Sequence, residues 1–269
     1  MLYKKRIIRY STVGDNMNIK FYKNNEKLVA GITLKDAALA EENNMALHVC
    51  HNEARIIENR QALAELLQTD VSQFVCANQT HSANFFRVEK EQIGYGATDA
   101  TTAIADTDAL YTYEPNVVIS SFTADCVPVL FYNEKTNLIG AIHSGWQGTI
   151  KEITAKLFEH LKTQENCVLA DLKVFIGPAI SQEKFEVDSD VFEKFKALGY
   201  ADDFMYFNQE TKKYHIDNQL TVKKQCEMAG VLAENIFIDT MCTFNSEDGF
   251  SYRQDRGTGR HLSFILRRS

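Results

Sequence analysis

Between Ile104 and His143 four apolar runs of strand character follow one another closely: Ile104 to Tyr113, Asn116 to Phe122, Val127 to Asn133 and Leu138 to His143. Links this short suit hairpins and leave no room for a helical crossover, so the spacing predicts a meander. Two further runs, Asp171 to Ile176 and Asn235 to Asp239, carry the same β-branched and aromatic enrichment. Helical patterns interrupt the strands irregularly. Asn52 is placed to cap a helix through Leu67, Ser189 one that carries Val191, Phe192, Phe195 and Leu198 before Gly199, and Asp217 one that stops at Gly230. Thr149 and Glu152 have the spacing of a capping box ahead of Ile150, Ile153, Leu157 and Leu161. No regular βαβ repeat emerges, and the expected class is α+β, with mixed β-sheets packed against peripheral helices. There is no Pro/Gly/Ser linker, long charge run or internal repeat, so 1–269 is expected to form a single domain.

Composition removes several function classes. At 45% hydrophobic and 24% charged, the chain can bury a core and is not a disordered or low-complexity segment. Its 29 basic and 36 acidic residues leave a net charge of -7, which argues against nucleic acid as a partner. No apolar run is long enough to span a bilayer. The first ten residues are basic, but Ile7 and Ile8 stand between Arg6 and Arg9, so no signal-peptide core follows and a cytoplasmic location is expected. Six cysteines, at 50, 76, 126, 167, 226 and 242, never form Cys-x-x-Cys, and free thiols are expected rather than disulfides or a zinc ribbon. Seven histidines without a His-x-His pair disfavour a multicopper oxidase. Oligomeric state is not legible.

Three polar segments adjoin strong strand signals: Asn78 to Ser82, Thr123 to Cys126, and His143 to Gly148. Strand ends are common locations for sites. If His81, Cys126 and His143 converge, they can hold Zn²⁺ with three protein ligands and one open position, the pattern of a catalytic zinc. The same trio also reads as a cysteine nucleophile with a histidine base, or as a buried thiol with two satisfied loop histidines. Arg60 falls on the inward face of its helix, between Ile56 and Leu63, and needs either an acidic side chain, a route to solvent or a ligand anion. Trp146, the one tryptophan, either stacks on a planar substrate or fills core. Gly145 and Gly148 precede the helix expected at Thr149, whose positive end suits an anion. The stretch Ser251 to Arg260 holds three arginines and two glycines and reads either as a closure over an anion or as a solvated loop. His48 and His51 would point to opposite faces of a strand and would not share a metal.

Together these segments resemble the laccase-domain family, also called the multicopper polyphenol oxidase or YfiH-like family. The resemblance is carried by Gln79-Thr80-His81, Asp108-Ala109-Leu110, Thr123 to Val129, His143 to Gly148, Gly177-Pro178, Phe185-Glu186-Val187, Cys242-Thr243, and Ser251 through Arg260. It implies an αββα-type architecture related to cysteine hydrolases, and a zinc site made of His81, Cys126 and His143, with copper the lesser alternative. It also implies a purine nucleoside phosphorylase that cleaves adenosine, inosine and methylthioadenosine with phosphate and deaminates adenosine. Asp125 is then a candidate proton shuttle or a residue orienting a ligand histidine. Arg60, Gln79, Trp146, Thr149, Arg253 and Arg260 are candidates for nucleoside or phosphate contact. Gln147, Ala179 and Gln254 stand where the family commonly has arginine, cysteine and arginine, and Cys50-His51 where Gly-Asp is usual. The competing functions are a cysteine-dependent amide hydrolase acting on peptide or cell-wall precursors, a laccase-like polyphenol oxidase, and a non-catalytic zinc-stabilised binding protein.

Overall fold

The computed structural model describes residues 17–269. The basic stretch at positions 1–10 lies outside the described residues, so the expectation drawn from it stays one of sequence.

In chain order the strands are β1 (Ile19–Asn24), β2 (Leu28–Thr33), β3 (Phe74–Val75), β4 (Phe85–Arg87), β5 (Ala109–Thr112), β6 (Val118–Thr123) and β7 (Val127–Asn133). They continue as β8 (Leu138–Ser144), β9 (Lys173–Ile176), β10 (Glu186–Val187), β11 (Met205–Asn208), β12 (Lys213–Ile216), β13 (Ile236–Ile238) and β14 (His261–Arg267). The α-helices are α1 (Glu53–Leu66), α2 (Trp146–Ile150), α3 (Ile153–Thr163), α4 (Ser189–Lys196) and α5 (Asn218–Ala229). A five-stranded sheet in the order β1-β2-β14-β6-β3 faces a six-stranded sheet in the order β13-β9-β7-β8-β5-β4. Both are mixed, because β3 runs parallel to β6, β4 to β5 and β13 to β9.

Side chains between the sheets explain why they stack. Ala30, Val75, Ile119 and Ile265 of the first pack with Leu110, Leu130, Ile139 and Phe175 of the second. The outer face of the five-stranded sheet is covered by Leu63 and Ala64 of α1 and by Leu67 at its C-cap, against Phe74, Val118, Phe264 and Leu266. On the outer face of the six-stranded sheet, Ile153, Leu157, Phe158 and Leu161 of α3 and Val222 and Cys226 of α5 meet Val129, Phe131, Ile142 and Val174. The layers are therefore α, β, β, α, and the class is α+β, as the resemblance implies. A small three-stranded sheet, β10-β12-β11, packs with α4 around Phe185, Phe195 and Ile216.

Three local expectations are corrected. The runs from Ile104 to His143 are not a meander: β6 leaves for the opposite sheet and β5 pairs with β8, leaving β7-β8 as the hairpin. Strands β5 to β8 are buried along their whole length. Strands covered on both faces lose the alternation that would have assigned them to a sheet. Thr149 and Glu152 do not form a capping box. Thr149 lies inside α2, its hydroxyl bonded to Ser144 Oγ at 2.9 Å and Gly145 O at 3.2 Å. Glu152 sits in the left-handed region at φ 60, breaking the helix between α2 and α3, and its carboxylate accepts from Tyr200 OH at 2.9 Å. Ser189 is not a cap but the first residue of α4, and Asp188, in the N-cap position, makes no side-chain cap bond and pairs with Lys213 instead. Asn52 and Asp217 cap as expected, accepting from Ala54 N and Leu220 N, and Gly230 ends α5 at φ 116. Among the described residues all six cysteines are free.

One buried histidine makes the fold sensitive to acid. His261, at the start of β14, is 0% exposed; Phe250 N–H donates to its Nε2 at 2.8 Å, so Nδ1 carries the proton donated to Thr33 O at 2.8 Å. Burial, helped by the charge of Arg260 and opposed by the Thr33 bond, lowers its pKa from 6.5 to about 4. The neutral ring belongs to the folded state, so its contribution is complete above pH about 6.5 and is lost as pH falls toward about 4. Urea unfolding across that window is expected to show a loss of order 3 kcal/mol from this residue. The slope should flatten in His261→Gln, which keeps one donor and one acceptor; an unchanged slope would refute the assignment.

Candidate metal centre and its pocket

Two crossings between the sheets build the site. The chain leaves the five-stranded sheet after β3 and enters the six-stranded one at β4 through a loop bearing His81; it crosses again from β6 to β7 through Ala124-Asp125-Cys126. His143 stands near the end of β8, beside both. His81 and Asp125 adopt left-handed backbone, at φ 59 and φ 81, which turns each crossing sharply. One ligand atom from each of His81, Cys126 and His143 lies within 4.8 Å of the others. Cys126 Sγ is 3.8 Å from His81 Nε2, and the two imidazoles meet edge to face with centroids 4.8 Å apart.

Asp108, immediately before β5, organises this triangle. Its carboxylate accepts from His143 Nδ1 at 2.7 Å, from His81 N at 3.1 Å, from Thr80 N at 3.2 Å, and from Ser82 N and Oγ at 2.7 and 2.6 Å. Burial opposes the charge, yet the hydrogen bonds from His143 and Ser82 hold the carboxyl at about 2, so it is ionised at neutral pH. With Nδ1 committed to Asp108, the other ring nitrogen of His143 is left for the thiol side. Burial likewise opposes ionisation of Cys126, but the His143 charge and the hydrogen bonds from both histidines lower its pKa. That of His143 is raised against its own burial by Cys126 and Asp108.

The donor set fits a metal ion. A thiol drawn toward thiolate, two imidazoles and a carboxylate behind one of them form the ligand chemistry and outer support of zinc sites, and soft thiolate also suits copper(I). Gly145 leaves the space. A Cβ there would stand 2.7 Å from His81 Cδ2 and 2.9 Å from Cys126 Sγ.

Two corners of the triangle, His81 and Cys126, line a pocket of about 400 Å³ with Trp146, Ile180, Phe185, Val191, Asn218 and Tyr252, together with Asp125, Glu186, Asp188, Asp190 and Arg253, while His143 is buried behind them. Four carboxylates and one guanidinium thus line the pocket, and one of the four, Asp188, is paired with Lys213. Asp125 is fully engaged: Thr243 Oγ1 donates to Oδ1 at 2.7 Å, and Ser251 Oγ and Arg253 N donate to Oδ2 at 3.0 and 2.7 Å. It ties two loops to the site, while the orienting of a histidine falls to Asp108. Arg253 Nη1 donates to Lys184 O and Glu186 O at 3.2 and 3.1 Å, bracing the pocket wall. Arg260 stands behind Tyr252, its guanidinium 5.8 Å from that ring, and donates to Thr258 O and Gly259 O.

Three residues expected at the ligand lie elsewhere. Arg60, 1% exposed, donates to Met45 O, Gly96 O and Ala97 O at 2.8, 2.7 and 2.6 Å and lies over the Phe122 ring at 5.2 Å. Backbone carbonyls and a ring face, neither an acidic side chain nor solvent, answer its charge. It borders a separate small cavity shared with His48 and Asn78. Gln79 is a strut whose carboxamide bonds Phe122 N and O, both at 2.8 Å. Thr149 is buried against Ser144, and α2 below it is too short to act as an anion-binding helix end. Trp146 is half-buried on the pocket wall. Sequence reasoning missed Asp108 as a site residue, and Asn218 altogether. For Asp108 the signal is a lone carboxylate heading a strand buried along its length, a position that demands partners.

A family model described as multi-copper polyphenol oxidoreductase laccase matches residues 31–268. The chain belongs to that laccase-domain family. Purine nucleoside phosphorylase YlmD of Bacillus subtilis is 33% identical over 248 residues, covering 90% of this chain and 89% of that protein. The Geobacillus stearothermophilus protein of the same name is 35% identical over 247 residues, covering 89% and 90%. The crystal structure of Bacillus licheniformis hypothetical protein YfiH superposes with a TM-score of 0.88 at 31% identity, covering 94% of this chain and 98% of that one. That of Geobacillus stearothermophilus YlmD superposes with 0.85 at 33% identity, covering 91% and 93%. Among the described residues of this laccase-domain chain, no helix is long and apolar enough to cross a membrane.

Two substitutions test the centre. Gly145 has φ -65, which alanine adopts freely, so Gly145→Ala should act by steric displacement of the ligands. It is expected to lower metal content, measured by mass spectrometry, in protein that melting curves show to be folded; metal content equal to wild type would refute the steric argument. Asp108→Asn should turn amide hydrogens toward N–H donors and weaken metal affinity by about 10–100-fold in chelator competition; an affinity equal to wild type would remove Asp108 from its orienting role.

Proposed function

We propose that this chain is a zinc-dependent purine nucleoside phosphorylase that cleaves adenosine, inosine and methylthioadenosine with phosphate and deaminates adenosine as a second activity. The observation that carries the reading is the His81–Cys126–His143 triangle, two corners of which line a 400 Å³ pocket with aromatic walls, in a chain 33% identical to a protein named purine nucleoside phosphorylase. A pocket of this size suits a nucleoside. Zinc held by His81, Cys126 and His143 would supply Lewis acidity at the pocket floor. Asp108 keeps His143 oriented through Nδ1 and the loop of His81 in place. Trp146, Phe185 and Tyr252 offer ring surface to a planar base. Arg253 ties the segment at 184–186 to the loop held by Asp125, and Arg260, behind Tyr252, is a further cation on that side for phosphate.

The described residues bring together one group of potential ligands, His81, Cys126 and His143, which favours a single ion over the several centres of a multicopper oxidase. A cysteine-dependent amide hydrolase remains a second reading, favoured by a thiol of lowered pKa 3.8 Å from His81 Nε2. One experiment tests the phosphorylase reading. Metal-assayed protein is incubated with adenosine, with and without phosphate, and products are identified by mass spectrometry. Adenine with ribose 1-phosphate is expected only when phosphate is present, and inosine in either case. Cys126→Ala and His81→Ala should lose zinc and at least about 100-fold in rate. Retention of zinc by both variants, or absence of either product, would overturn the assignment.

A further inference from the structure

Arg60 carries a charge that no acidic group neutralises. It is 1% exposed, the titratable groups that act on it are the thiols of Cys76 and Cys50, and no carboxylate lines the small cavity it borders. A guanidinium has five N–H groups. Nε donates to Met45 O, and the two N–H groups of Nη1 donate to Gly96 O and Ala97 O. The two on Nη2 find no acceptor among the described residues, yet that nitrogen is not sealed and keeps accessible surface at the cavity. The carbonyls engage the cation without bringing a net negative charge, and a buried cation without a counter-charge is costly.

The cavity is about 40 Å³, the room of about three waters. Its floor is made by buried Arg60, Cys76 and Gly96, and its rim by His48, Asn78 and Ala100, which reach the surface. The Asn78 carboxamide makes no hydrogen bond among the described residues, and the His48 ring only meets Phe122 edge to face, at 5.9 Å. Partial burial, then the charges of Arg260, Arg60 and His143, lower the His48 pKa to about 4, so its ring is neutral at pH 7 and has one N–H to donate. Unengaged donors from three side chains thus line one small space beside an uncompensated cation.

We propose that this cavity is a binding site for a small oxyanion of the size of inorganic phosphate, held by Arg60 Nη2 at the floor and by Asn78 and His48 at the rim. An ion with several acceptor oxygens takes donors from floor and rim at once and supplies the missing negative charge, which water does not. The site is separate from the nucleoside pocket and does not depend on the nucleoside reading. Its position gives the occupant leverage: Ala77 and Asn78 lead through Gln79 and Thr80 to His81, and Phe122 leads into the crossing that carries Cys126. An anion there braces the roots of both crossings.

Two measurements test this on the metal-assayed full-length protein, prepared free of phosphate and sulfate. Calorimetry titrates inorganic phosphate into wild type, Asn78→Leu and Ala103→Leu, each shown by melting curves to be folded. The first removes a rim donor, and the second fills the cavity from its wall while keeping every donor. Each is expected to weaken phosphate binding by about tenfold or more. Crystals soaked in selenate and measured at the selenium edge should show an anomalous peak within hydrogen-bond reach of Arg60 Nη2. A peak confined to the metal centre, a cavity holding only water, absence of phosphate binding by wild type, or equal affinity in either folded variant overturns the inference and leaves the nucleoside reading standing. A cavity peak without that difference in solution marks binding at crystal concentration only and overturns it as well. Chloride binding as tightly as phosphate overturns the oxyanion class. If Ala103→Leu does not fold, Asn78→Leu, at an exposed position, decides.

Discussion

A single buried carboxylate holds the centre together. Asp108 accepts from five donors on two segments distant in sequence, the loop at 80–82 and His143 on β8. Each bond is stronger than its neutral counterpart because the acceptor is ionised. Without that anion, two imidazoles and a thiol would be brought close by strand ends but not aimed. With it, one imidazole has a committed nitrogen and the other has its backbone N–H pinned, so the orientation of both follows from one side chain. The arrangement also answers the cost of taking Asp108 out of water, since both its oxygens are supplied with donors.

The contrast among the polar residues is instructive. Arg60, Gln79 and Thr149 combine chemistry suited to ligands with burial or half-burial, and the backbone supplies partners to each: three carbonyls for the arginine, both polar groups of Phe122 for the glutamine, and Gly145 O, beside the Ser144 hydroxyl, for the threonine. They shape the loops from which the three candidate ligands project. Gln79 secures the chain two residues before His81, and Thr149 secures the turn that contains Gly145. Arg60 braces the segment at 96–97 against the helix that covers the first sheet.

Local chemistry was readable in the sequence where it is decided locally. Asn52, Asp217 and Gly230 end helices through contacts within a few residues, and the β7-β8 hairpin needs only its own turn. The His81, Cys126 and His143 trio was legible because each lies at the edge of a strong apolar run. What escaped was decided by distant partners. Strand β6 is as apolar as its neighbours, and only its fit beside β14 places it in the other sheet. Glu152 satisfies the spacing of a helix cap, but Tyr200, far along the chain, offers its hydroxyl elsewhere. Asp108 looks like one acidic residue among many until the loop of His81 folds over it.

The route of the chain gives the centre a mechanical meaning. His81 and Cys126 ride on the two crossings from the five-stranded to the six-stranded sheet, while His143 belongs to the second sheet itself. The three donors are therefore carried by parts that would separate if one sheet slid over the other, even by a fraction of the distance between neighbouring strands. An ion bound among them would act as a rivet between the layers, and the spacing of its ligands would gauge how well the apolar interior between the sheets is packed. Distant substitutions in that interior, such as at Ile119 or Leu130, would then reach the chemistry as a change in the grip on the ion.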